Sequence, residues 1–333
     1  NIKIAALTKR PREMTEMTGI RCISRTSYPA ICRQLRHAGL LISGGGTLIQ
    51  DGTSSKSLMY YLFIMRLAKK CGAKLYVYAN GAGPLYRKSS KRSAAKIVDL
   101  ADRITVREPD AKATLISLGI AAERITVTAD PAFMIKRAGD PDEIAARLGL
   151  APEKKYYAVS LRECTGKVAR EIDTEELADK VAEACSAISR KYGSEPVFIP
   201  MQPKHDAAIC ANVRAKLGFG HQANGLTAGE LCSLLEKMEF VIGMRLHMLV
   251  FASHMCVPMV GLSYDPKING LMHYIGQDTL LRAQDFKVDE LISAVDNTIM
   301  DSARIRASLA ESSERLTGLA YSDITAALGM ADR

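Results

Sequence analysis

The stretch Phe240-Val-Ile-Gly-Met-Arg-Leu-His-Met-Leu-Val-Phe-Ala252 passes from a short apolar run through a glycine into an apolar segment of helical length. This pattern is typical of a buried strand that turns directly into a helix, as in parallel α/β sheets. Arg245 and His247 fall in the first turn of that helix, where backbone N–H groups and the helix dipole favour an anion. The stretch therefore predicts a parallel sheet with a polar site at a strand end.

The same alternation of short strands and amphipathic segments runs through the whole chain. Strands are predicted at Ile2–Leu7, Ile20–Ser24, Leu40–Ser43, Leu75–Tyr78, Ile104–Val106, Ile125–Val127, Tyr157–Leu161, Val197–Pro200, Phe240–Ile242 and Met259–Leu262. The alternation restarts after a polar link from Pro141 to Pro152. We therefore expect an α/β protein with two doubly wound Rossmann-like domains, residues 1–150 and 151–333, that face a cleft. A terminal helix from about Ala303 to Leu328 is expected to pack across both domains.

The amino-acid composition favours some classes of protein over others. The 333 residues are 47% hydrophobic, no apolar run reaches membrane-spanning length, and the eight cysteines form no C-x-x-C pair. These features favour a globular cytoplasmic enzyme with buried thiols. A net charge of +9 indicates an anionic partner, which could be nucleic acid, an acidic membrane or a phosphorylated substrate. Nucleic acid is disfavoured, because the basic residues are spread along the chain and tryptophan is absent.

Two glycine-rich turns follow predicted strands of the first half. Gly44-Gly45-Gly46 leads through Gln50 to Asp51, and Asn80-Gly-Ala-Gly-Pro84 ends the next strand. Glycines let a ligand approach the backbone, and N–H groups beside a helix start bind anions. The alternative is a tight turn with Ser54 or Ser55 as helix N-cap.

Charged residues end the next two strands of this half. Arg107-Glu108 ends one and Thr128-Ala-Asp130 the other. Each is either a ligand contact or an ordinary ion pair or helix cap. The dense basic patch Arg87–Arg92 is either a solvated helix start or a surface for anionic lipid or a diphosphate.

Polar groups also follow the strands of the second half. Arg162 ends one strand, Gln202 to Asp206 follow the next, and Tyr264-Asp265-Pro-Lys267 follow the last. Arg162 is either an anion clamp or a surface arginine. The polar groups from Gln202 to Asp206 either face a ligand, with His205 functional, or consist of a helix cap by Asp206 beside a solvated His205. Metal and Ser-His-Asp motifs are not visible, so no metal or cofactor is expected.

Seven motifs together resemble the polysaccharide pyruvyl transferase family, closest to the bacterial branch that pyruvylates secondary cell-wall polymer for surface-layer anchoring. They are Gly44–Asp51, Gly81–Pro84, Val106–Glu108, Asp130–Pro131, Ser160–Arg162, Gly243–His247 and Gly261–Lys267. The resemblance implies the two-domain GT-B architecture, phosphoenolpyruvate as donor and no metal. Glu108 stands where the family often has Asp. The family's opening Gly-rich segment is not found, and the first βα unit is expected to be missing from the chain.

The resemblance also implies roles for the polar residues. Arg162, Arg245, Lys267 and Gln202 are expected to bind the donor, His247 to donate a proton, and Asp265 to orient or deprotonate the acceptor. Contacts to substrate are expected from Gly44, Gly45, Gly46, Gln50, Asp51, Asn80, Arg107 and Tyr264. The implied acceptor is a lipid-diphosphate-linked disaccharide containing N-acetylmannosamine, reached from the inner membrane face. The alternatives are a nucleotide-sugar glycosyltransferase on the same scaffold and a catalytically silent sugar-phosphate-binding module.

Overall fold

The computed structural model describes residues 2–52, 54–164 and 171–331, and its contacts group the chain into two compact units. The first unit contains the residues up to Asp130 together with those from Leu319 onward. The second unit is Pro131–Gly318. Each unit is an α/β structure with parallel strands, which confirms the fold class expected from the sequence.

The first unit is built around a four-stranded parallel sheet in the order β3-β4-β5-β6, with β1 and β2 paired separately. Its elements are β1 (Ala5–Thr8), α1 (Pro11–Thr18), β2 (Arg21–Ser24), α2 (Tyr28–Arg36), β3 (Leu40–Gly44), α3 (Ser55–Lys70), β4 (Lys74–Asn80), α4 (Lys88–Val98), β5 (Arg103–Val106), α5 (Pro109–Ser117) and β6 (Ile125–Val127). Helix α3 buries Leu58, Leu62 and Met65 in the core beside the sheet. Helices α2, α3 and α4 pack side by side in that order.

The second unit contains a six-stranded, all-parallel sheet in the order β12-β11-β10-β7-β8-β9. Its elements are α6 (Pro141–Arg147), β7 (Lys155–Ser160), α7 (Thr174–Tyr192), β8 (Ser194–Phe198), α8 (Pro203–Leu217), β9 (His221–Gln222), α9 (Ala228–Leu235), β10 (Met238–Gly243), α10 (Leu246–His254), β11 (Met259–Ser263), α11 (Pro266–Tyr274), β12 (Leu280–Arg282), α12 (Val288–Met300) and α13 (Ser302–Ala331). The central strand β7 comes first in the chain, and the later strands extend the sheet on either side of it. This is the Rossmann strand order, and its direction reverses between β7 and β10.

The sheet register of the second unit aligns three strand ends. Gly243 on β10 pairs with Ser160 on β7 and with Gly261 on β11. In the core, the ring of Tyr157 on β7 stacks on Phe240 on β10 with centroids 4.7 Å apart. Side chains that follow β7, β10 and β11 therefore begin at the same level of one sheet edge, above a packed core.

The division by contacts differs from the boundary expected near Leu150. Helix α6, in the polar link, packs against α9, and the Ala138 N–H donates to the Gly229 carbonyl at 3.1 Å. A Cβ added to Gly229 would lie 2.8 Å from the Ala138 side chain, so the two segments meet closely. The contacts of the polar link therefore group it with the second unit.

The end of the terminal helix α13 belongs to the first unit. Asp323 on this helix is buried and accepts hydrogen bonds from the hydroxyls of Tyr76 (2.8 Å), Thr105 (3.1 Å) and Thr128 (2.6 Å). Burial is the main cause that raises the pKa of Tyr76 to about 12. These bonds fix the end of α13 to the sheet of the first unit. Among the described residues, no helix combines the length and apolarity that crossing a membrane requires.

Candidate functional site

The point where strand order reverses in the second unit is flanked by two arginines. Arg162 follows β7 and Arg245 follows β10, each two residues beyond the paired Ser160 and Gly243. In open parallel sheets, ligands bind beyond the carboxyl ends of the strands at such a reversal. The fold therefore places two predicted donor-binding residues at the position where a ligand site is expected.

Arg245 is held by the Asp206 carboxylate, which the sequence left open as a group facing a ligand or as a helix cap. Its Nε donates to Asp206 Oδ2 at 2.9 Å, and its Nη2 donates to Asp206 Oδ1. Asp206 is fully buried and also accepts the Gln202 N–H at 2.8 Å. The guanidinium fork that we expected to grip an anion is thus directed at Asp206. The third nitrogen, Nη1, makes no bond to the described residues.

Asp206 carries a signal that could have been read from the sequence. It shares one face of α8 with Ile209, Cys210 and Val213, which are all buried in the core. A carboxylate on an apolar helix face requires a charged or hydrogen-bonding partner, because an unpaired buried charge is costly. Its partner, however, lies in a distant part of the sequence, and only the fold identifies it as Arg245.

Tyr264 contacts two of the cations that were predicted to bind the donor. Its hydroxyl accepts a 2.7 Å hydrogen bond from Arg162 Nη1, and the Arg162 guanidinium carbon lies 4.7 Å from its ring centroid. Lys267 Nζ lies 5.6 Å from the same centroid. The electron-rich face of the ring attracts both cations, so Tyr264 positions them together.

Asp265 is the N-cap of α11. Its Oδ1 accepts the Lys267 N–H, and its Oδ2 pairs with Lys267 Nζ, both at 3.1 Å. The side chains of Asp265 and Lys267 are both partly exposed. Asp265 therefore has a structural role at the helix start, and its expected role toward the acceptor stays a prediction.

His247 and Gln202 present exposed side chains at the same strand-end level. His247 lies in the first turn of α10, with its ring centroid 6.4 Å from that of Phe251. Gln202 is the N-cap residue of α8, and His205 in the first turn of that helix is also exposed. An exposed imidazole beside cations can exchange a proton with a bound molecule.

Two of the three cations predicted to bind the donor are paired with carboxylates. Arg245 pairs with Asp206, and Lys267 pairs with Asp265. Arg162 is half-buried and, within the part of the chain that the structure describes, forms no ion pair. A half-buried guanidinium held by an aromatic ring retains donors for a carboxylate or phosphate. The edge is suited to binding an anion, and Arg162 is the predicted donor-binding cation that no described carboxylate neutralises.

In the first unit, the two glycine-rich turns lie against each other. The Gly81 N–H donates to the Gly46 carbonyl at 3.1 Å, and the Gly83 N–H donates to the Ile49 carbonyl at 2.8 Å. Gln50, between these segments, is half-buried. The fold therefore brings together the two turns that were predicted to contact substrate.

The backbone itself requires glycine at two positions of the first turn. A Cβ on Gly44 would lie 2.3 Å from the Tyr78 carbonyl oxygen, and Gly45 has a φ of +82°. Both positions therefore exclude larger residues without any ligand. Whether Gly44, Gly45 and Gly46 also contact substrate stays a prediction.

Asp51 joins this turn to the start of α4. Its carboxylate accepts the N–H groups of Tyr86 (2.7 Å) and Arg87 (3.1 Å). Burial opposes its charge, but these N–H groups and the Ser90 hydroxyl outweigh burial and lower the pKa of Asp51. Asp51 is thus an ionised tether between two loops, and its contact with substrate stays a prediction.

Arg107 is buried at the centre of a polar network. It donates to Glu108 (2.9 Å), Asp130 (2.7 Å) and the Thr47 hydroxyl (2.9 Å). Burial disfavours its charge, but the two carboxylates outweigh burial and raise the pKa of Arg107. Burial raises the pKa of Glu108 despite this pairing. Through Thr47, Arg107 anchors the first glycine-rich turn.

Asn80 lies under the same two turns and is fully buried. Its Nδ2 donates to the Ser43 carbonyl at 2.6 Å, whereas its Oδ1 has no partner among the described residues. The amide therefore links the ends of β3 and β4. Its expected role in binding substrate stays a prediction.

The cysteine side chains are not joined in disulfides. All eight cysteines are free thiols, four of them buried and four half-buried. Among the residues that the structure describes, no group of three or more His, Cys, Asp or Glu side chains is placed to hold a metal ion. Independence from metal stays a prediction.

Comparisons with known proteins give a family and a set of similar folds. The family model for polysaccharide pyruvyl transferase matches residues 3–266. No curated protein sequence matches the chain significantly. The UDP-GlcNAc 2-epimerase from Neisseria meningitidis bound to UDP-GlcNAc is 10% identical with a TM-score of 0.65, covering 98% of this chain and 91% of that chain.

Two further solved structures are similar to the same degree. Alr3699/HepE from Anabaena in complex with UDP and glucose is 12% identical, with a TM-score of 0.63 over 99% of this chain and 100% of that chain. A glycosyltransferase from Rickettsia africae is 10% identical, with a TM-score of 0.62 over 98% and 90%. At these identities the similarity shows the fold alone, which is the GT-B-like class with two Rossmann-like domains.

Proposed function

The chain belongs to the polysaccharide pyruvyl transferase family, and from this premise we propose that it transfers pyruvate from phosphoenolpyruvate as a ketal onto a cell-wall polysaccharide precursor. The proposed acceptor is a lipid-diphosphate-linked disaccharide containing N-acetylmannosamine, at the cytoplasmic face of the membrane. The product then belongs to the polymer that anchors surface-layer proteins. The observation that carries the proposal is the cation arrangement at the strand reversal of the second unit.

The donor carries a phosphate and a carboxylate, so its site requires several cations. Within the described residues, Arg162 supplies a guanidinium that pairs with no carboxylate, and Arg245 supplies the Nη1 edge that its pairing with Asp206 leaves unbonded. Lys267 is partly exposed beside them. We assign phosphoenolpyruvate to this edge, with Gln202 as a further polar contact.

The proposed reaction requires three proton transfers, one to the donor and one from each of two acceptor hydroxyls. His247 protonates the donor's methylene carbon while one acceptor hydroxyl attacks the central carbon and loses its proton. The C–O bond to phosphate then breaks, phosphate leaves with the bonding electrons, and a second hydroxyl attacks the same carbon and loses its proton. Atoms balance as donor plus diol giving ketal plus phosphate. Asp265 is proposed to orient one hydroxyl or accept its proton.

The glycine-rich turns of the first unit are proposed to contact the acceptor. Gly44, Gly45, Gly46 and Gln50 present backbone and amide groups at the end of β3. Arg107 acts here by holding Thr47, because each of its three nitrogens already donates to a protein group.

The patch Arg87–Arg92 supports attachment to the membrane that carries the proposed acceptor. Arg87, Lys88, Lys91 and Arg92 are all exposed at the start of α4. Cations at a helix N-terminus oppose the helix dipole, so helix stability gives no reason for them. Attraction to anionic lipid does, since each such charge contributes ~1 kcal/mol near the surface.

The alternative enzyme is a nucleotide-sugar glycosyltransferase. The reason for naming it is the similarity to Alr3699/HepE, whose structure contains UDP. In that case the cations at the strand reversal bind a diphosphate. A second alternative is a sugar-phosphate-binding module without turnover. The alternatives differ in what they release. The glycosyltransferase releases a nucleotide, and the binding module releases nothing.

Incubation with donor and acceptor distinguishes these functions. The chain is incubated with phosphoenolpyruvate and a synthetic lipid-diphosphate disaccharide, and phosphate release and the product mass are measured. We expect phosphate release only with acceptor, and a product that has gained one pyruvyl ketal. Nucleotide release from a sugar nucleotide, with no reaction of phosphoenolpyruvate, would instead establish the glycosyltransferase. An Arg162→Ala protein is the matched control for chemistry at the assigned edge.

A further inference from the structure

The first unit carries a region almost without carboxylates. Residues 17–98 contain fourteen lysines and arginines but a single acidic residue, Asp51. That carboxylate is buried and bonded to backbone N–H groups, so it does not offset charge at the surface. The basic residues are spread along the whole chain, but in this region they are not balanced by acidic ones.

The positive charge lies on three neighbouring helices. Helix α3 packs against α2 on one side and α4 on the other. Neither α2 nor α3 contains an acidic residue, and α4 carries the patch Arg87–Arg92 at its start. The three helices therefore form a cationic helical face.

Exposed apolar side chains lie in the middle of this face. The exposed residues of α3 recur at helical spacing and form the α3 stripe: Lys56, Met59, Phe63, Arg66 and Lys70. Met59 is 49% exposed and Phe63 is 45% exposed. Tyr28 on α2, 51% exposed, meets Phe63 edge to face with centroids 5.5 Å apart.

A membrane-surface helix combines these features, because apolar side chains enter the headgroup region while lysines and arginines bind anionic lipid. A second copy of the chain would place two cationic faces together, which charge repulsion disfavours. A nucleic acid would satisfy the cations but gives Met59 no apolar surroundings. We propose that the face formed by α2, α3 and α4 docks on an anionic phospholipid membrane, with Tyr28, Met59 and Phe63 inserted among the headgroups.

This inference deepens the proposed membrane attachment and rests on the proposed function only for the lipid-linked acceptor. It adds an apolar insertion site to the basic patch, and it predicts where lipid contacts the protein. It is therefore tested by lipid contact, without the need for turnover.

The chain contains no tryptophan, so one introduced tryptophan reports its own surroundings. Phe63→Trp is compared with Ile116→Trp on α5, because Ile116 has a similar exposure of 42%. Vesicles of phosphatidylglycerol and phosphatidylcholine are added, and tryptophan emission and quenching by brominated lipid are recorded. We expect a blue shift and quenching at position 63 only. No shift at position 63, or an equal shift at position 116, overturns the proposal.

Vesicle sedimentation separates the apolar and charged contributions. Removing three cations (Lys56→Gln, Arg66→Gln and Lys70→Gln) should weaken binding on the order of a hundredfold at low salt. Met59→Gln with Phe63→Gln should weaken binding while leaving its salt dependence intact. The control removes three exposed cations elsewhere (Arg137→Gln, Lys154→Gln and Arg304→Gln) and should bind like the parent protein. Equal losses in both charge variants overturn the proposal, as does binding to heparin that matches vesicle binding and ignores Met59 and Phe63.

The same variants are assayed for phosphate release with a water-soluble acceptor. Normal release by the Met59→Gln, Phe63→Gln protein, together with lost vesicle binding, supports a docking face separate from the chemistry. If the parent protein binds vesicles as expected but releases no phosphate, the proposed reaction fails and the docking face stands.

Discussion

Arg245 at the start of α10 is forked onto Asp206 in α8, with Nε 2.9 Å from Oδ2 and Nη2 bonded to Oδ1. The Arg245 side chain is only 12% exposed and that of Asp206 is fully buried. A buried, two-point ion pair fixes the plane of the guanidinium. Asp206 is thus a positioning residue for Arg245, and this pair sets the direction of the Nη1 edge, which makes no bond to the described residues.

We predict that Asp206→Asn destabilises the protein by about 3 kcal/mol, because breaking a buried pair leaves Arg245 uncompensated. The variant should also raise KM for phosphoenolpyruvate, since the guanidinium loses its fixed orientation. Urea unfolding and steady-state kinetics measure both effects. A double-mutant cycle with Arg245→Gln should show strong coupling in both readouts. Additive effects would contradict a shared role.

The sequence predicted the strands and their carboxyl ends well, because β-branched runs and glycine turns are local signals. The ten predicted strands are found. Two short strands, β9 (His221–Gln222) and β12 (Leu280–Arg282), were not among them, because two or three residues without β-branching give no period to detect. The domain division differs because the polar link around α6 packs on α9. Contacts between segments distant in sequence leave no local pattern.

The same limit applies to the site. Arg162, Arg245, Tyr264 and Lys267 could be placed at one edge from strand positions alone. The sequence could not show which cation is already paired, since Asp206 and Tyr264 reach their partners through the fold. Arg107 was expected to bind substrate, and only the structure shows its donors taken by three protein groups.

Arg162→Ala should weaken donor binding at least tenfold, because lost charged hydrogen bonds cost about 1.5–3 kcal/mol. Arg162→Lys should restore only part of the affinity, since an ammonium cannot reproduce the planar fork. Tyr264→Phe keeps the ring under Arg162 and removes one hydrogen bond, so its effect should be smaller. Calorimetry with phosphoenolpyruvate measures all three. Unchanged affinity in Arg162→Ala would place the donor elsewhere.

His247→Asn should spare donor binding while cutting turnover by ~10²–10⁴, because the amide hydrogen-bonds but cannot transfer a proton. His247 is exposed, so the substitution should leave the melting temperature near that of the parent. Arg245→Lys should show the opposite pattern, with weaker donor binding. Turnover, calorimetry and a melting curve on the same preparations compare them. Full turnover by a folded His247→Asn protein would exclude His247 as the proton donor.

Gly81→Ala should destabilise the first unit by about 1–3 kcal/mol through overpacking. The added Cβ would lie 2.7 Å from the Thr47 hydroxyl and 3.2 Å from Arg107 Nη2. Gly46→Ala is the matched control, because its Cβ would only touch Leu48 at 3.7 Å. Denaturant unfolding compares the two variants. Equal stability of the two variants would mean that Thr47 and Arg107 can move to accommodate the added methyl group without lowering the free energy of unfolding.

Asp51 gives the protein a pH-dependent tether. Its folded-state pKa is lowered, so its charge stabilises the fold above the ordinary carboxyl pKa, and that contribution is lost as pH falls through the folded-state value. Asp51→Asn should therefore be less stable than the parent at neutral pH by about 1.5 kcal/mol or more, because a neutral amide accepts the Tyr86 and Arg87 N–H groups less strongly. Once the pH has fallen below the lowered folded-state pKa, the parent carboxyl is also neutral, and the two proteins should converge.

Urea unfolding at a series of pH values measures this difference directly, with Glu123→Gln as the control at an exposed carboxyl of the same unit. The control should match the parent at every pH. A gap between parent and Asp51→Asn that stays constant into strong acid would show that shape, and not charge, makes Asp51 hold the two loops. If Asp51→Asn keeps parent stability yet loses turnover, Asp51 contacts substrate, and the tether is incidental.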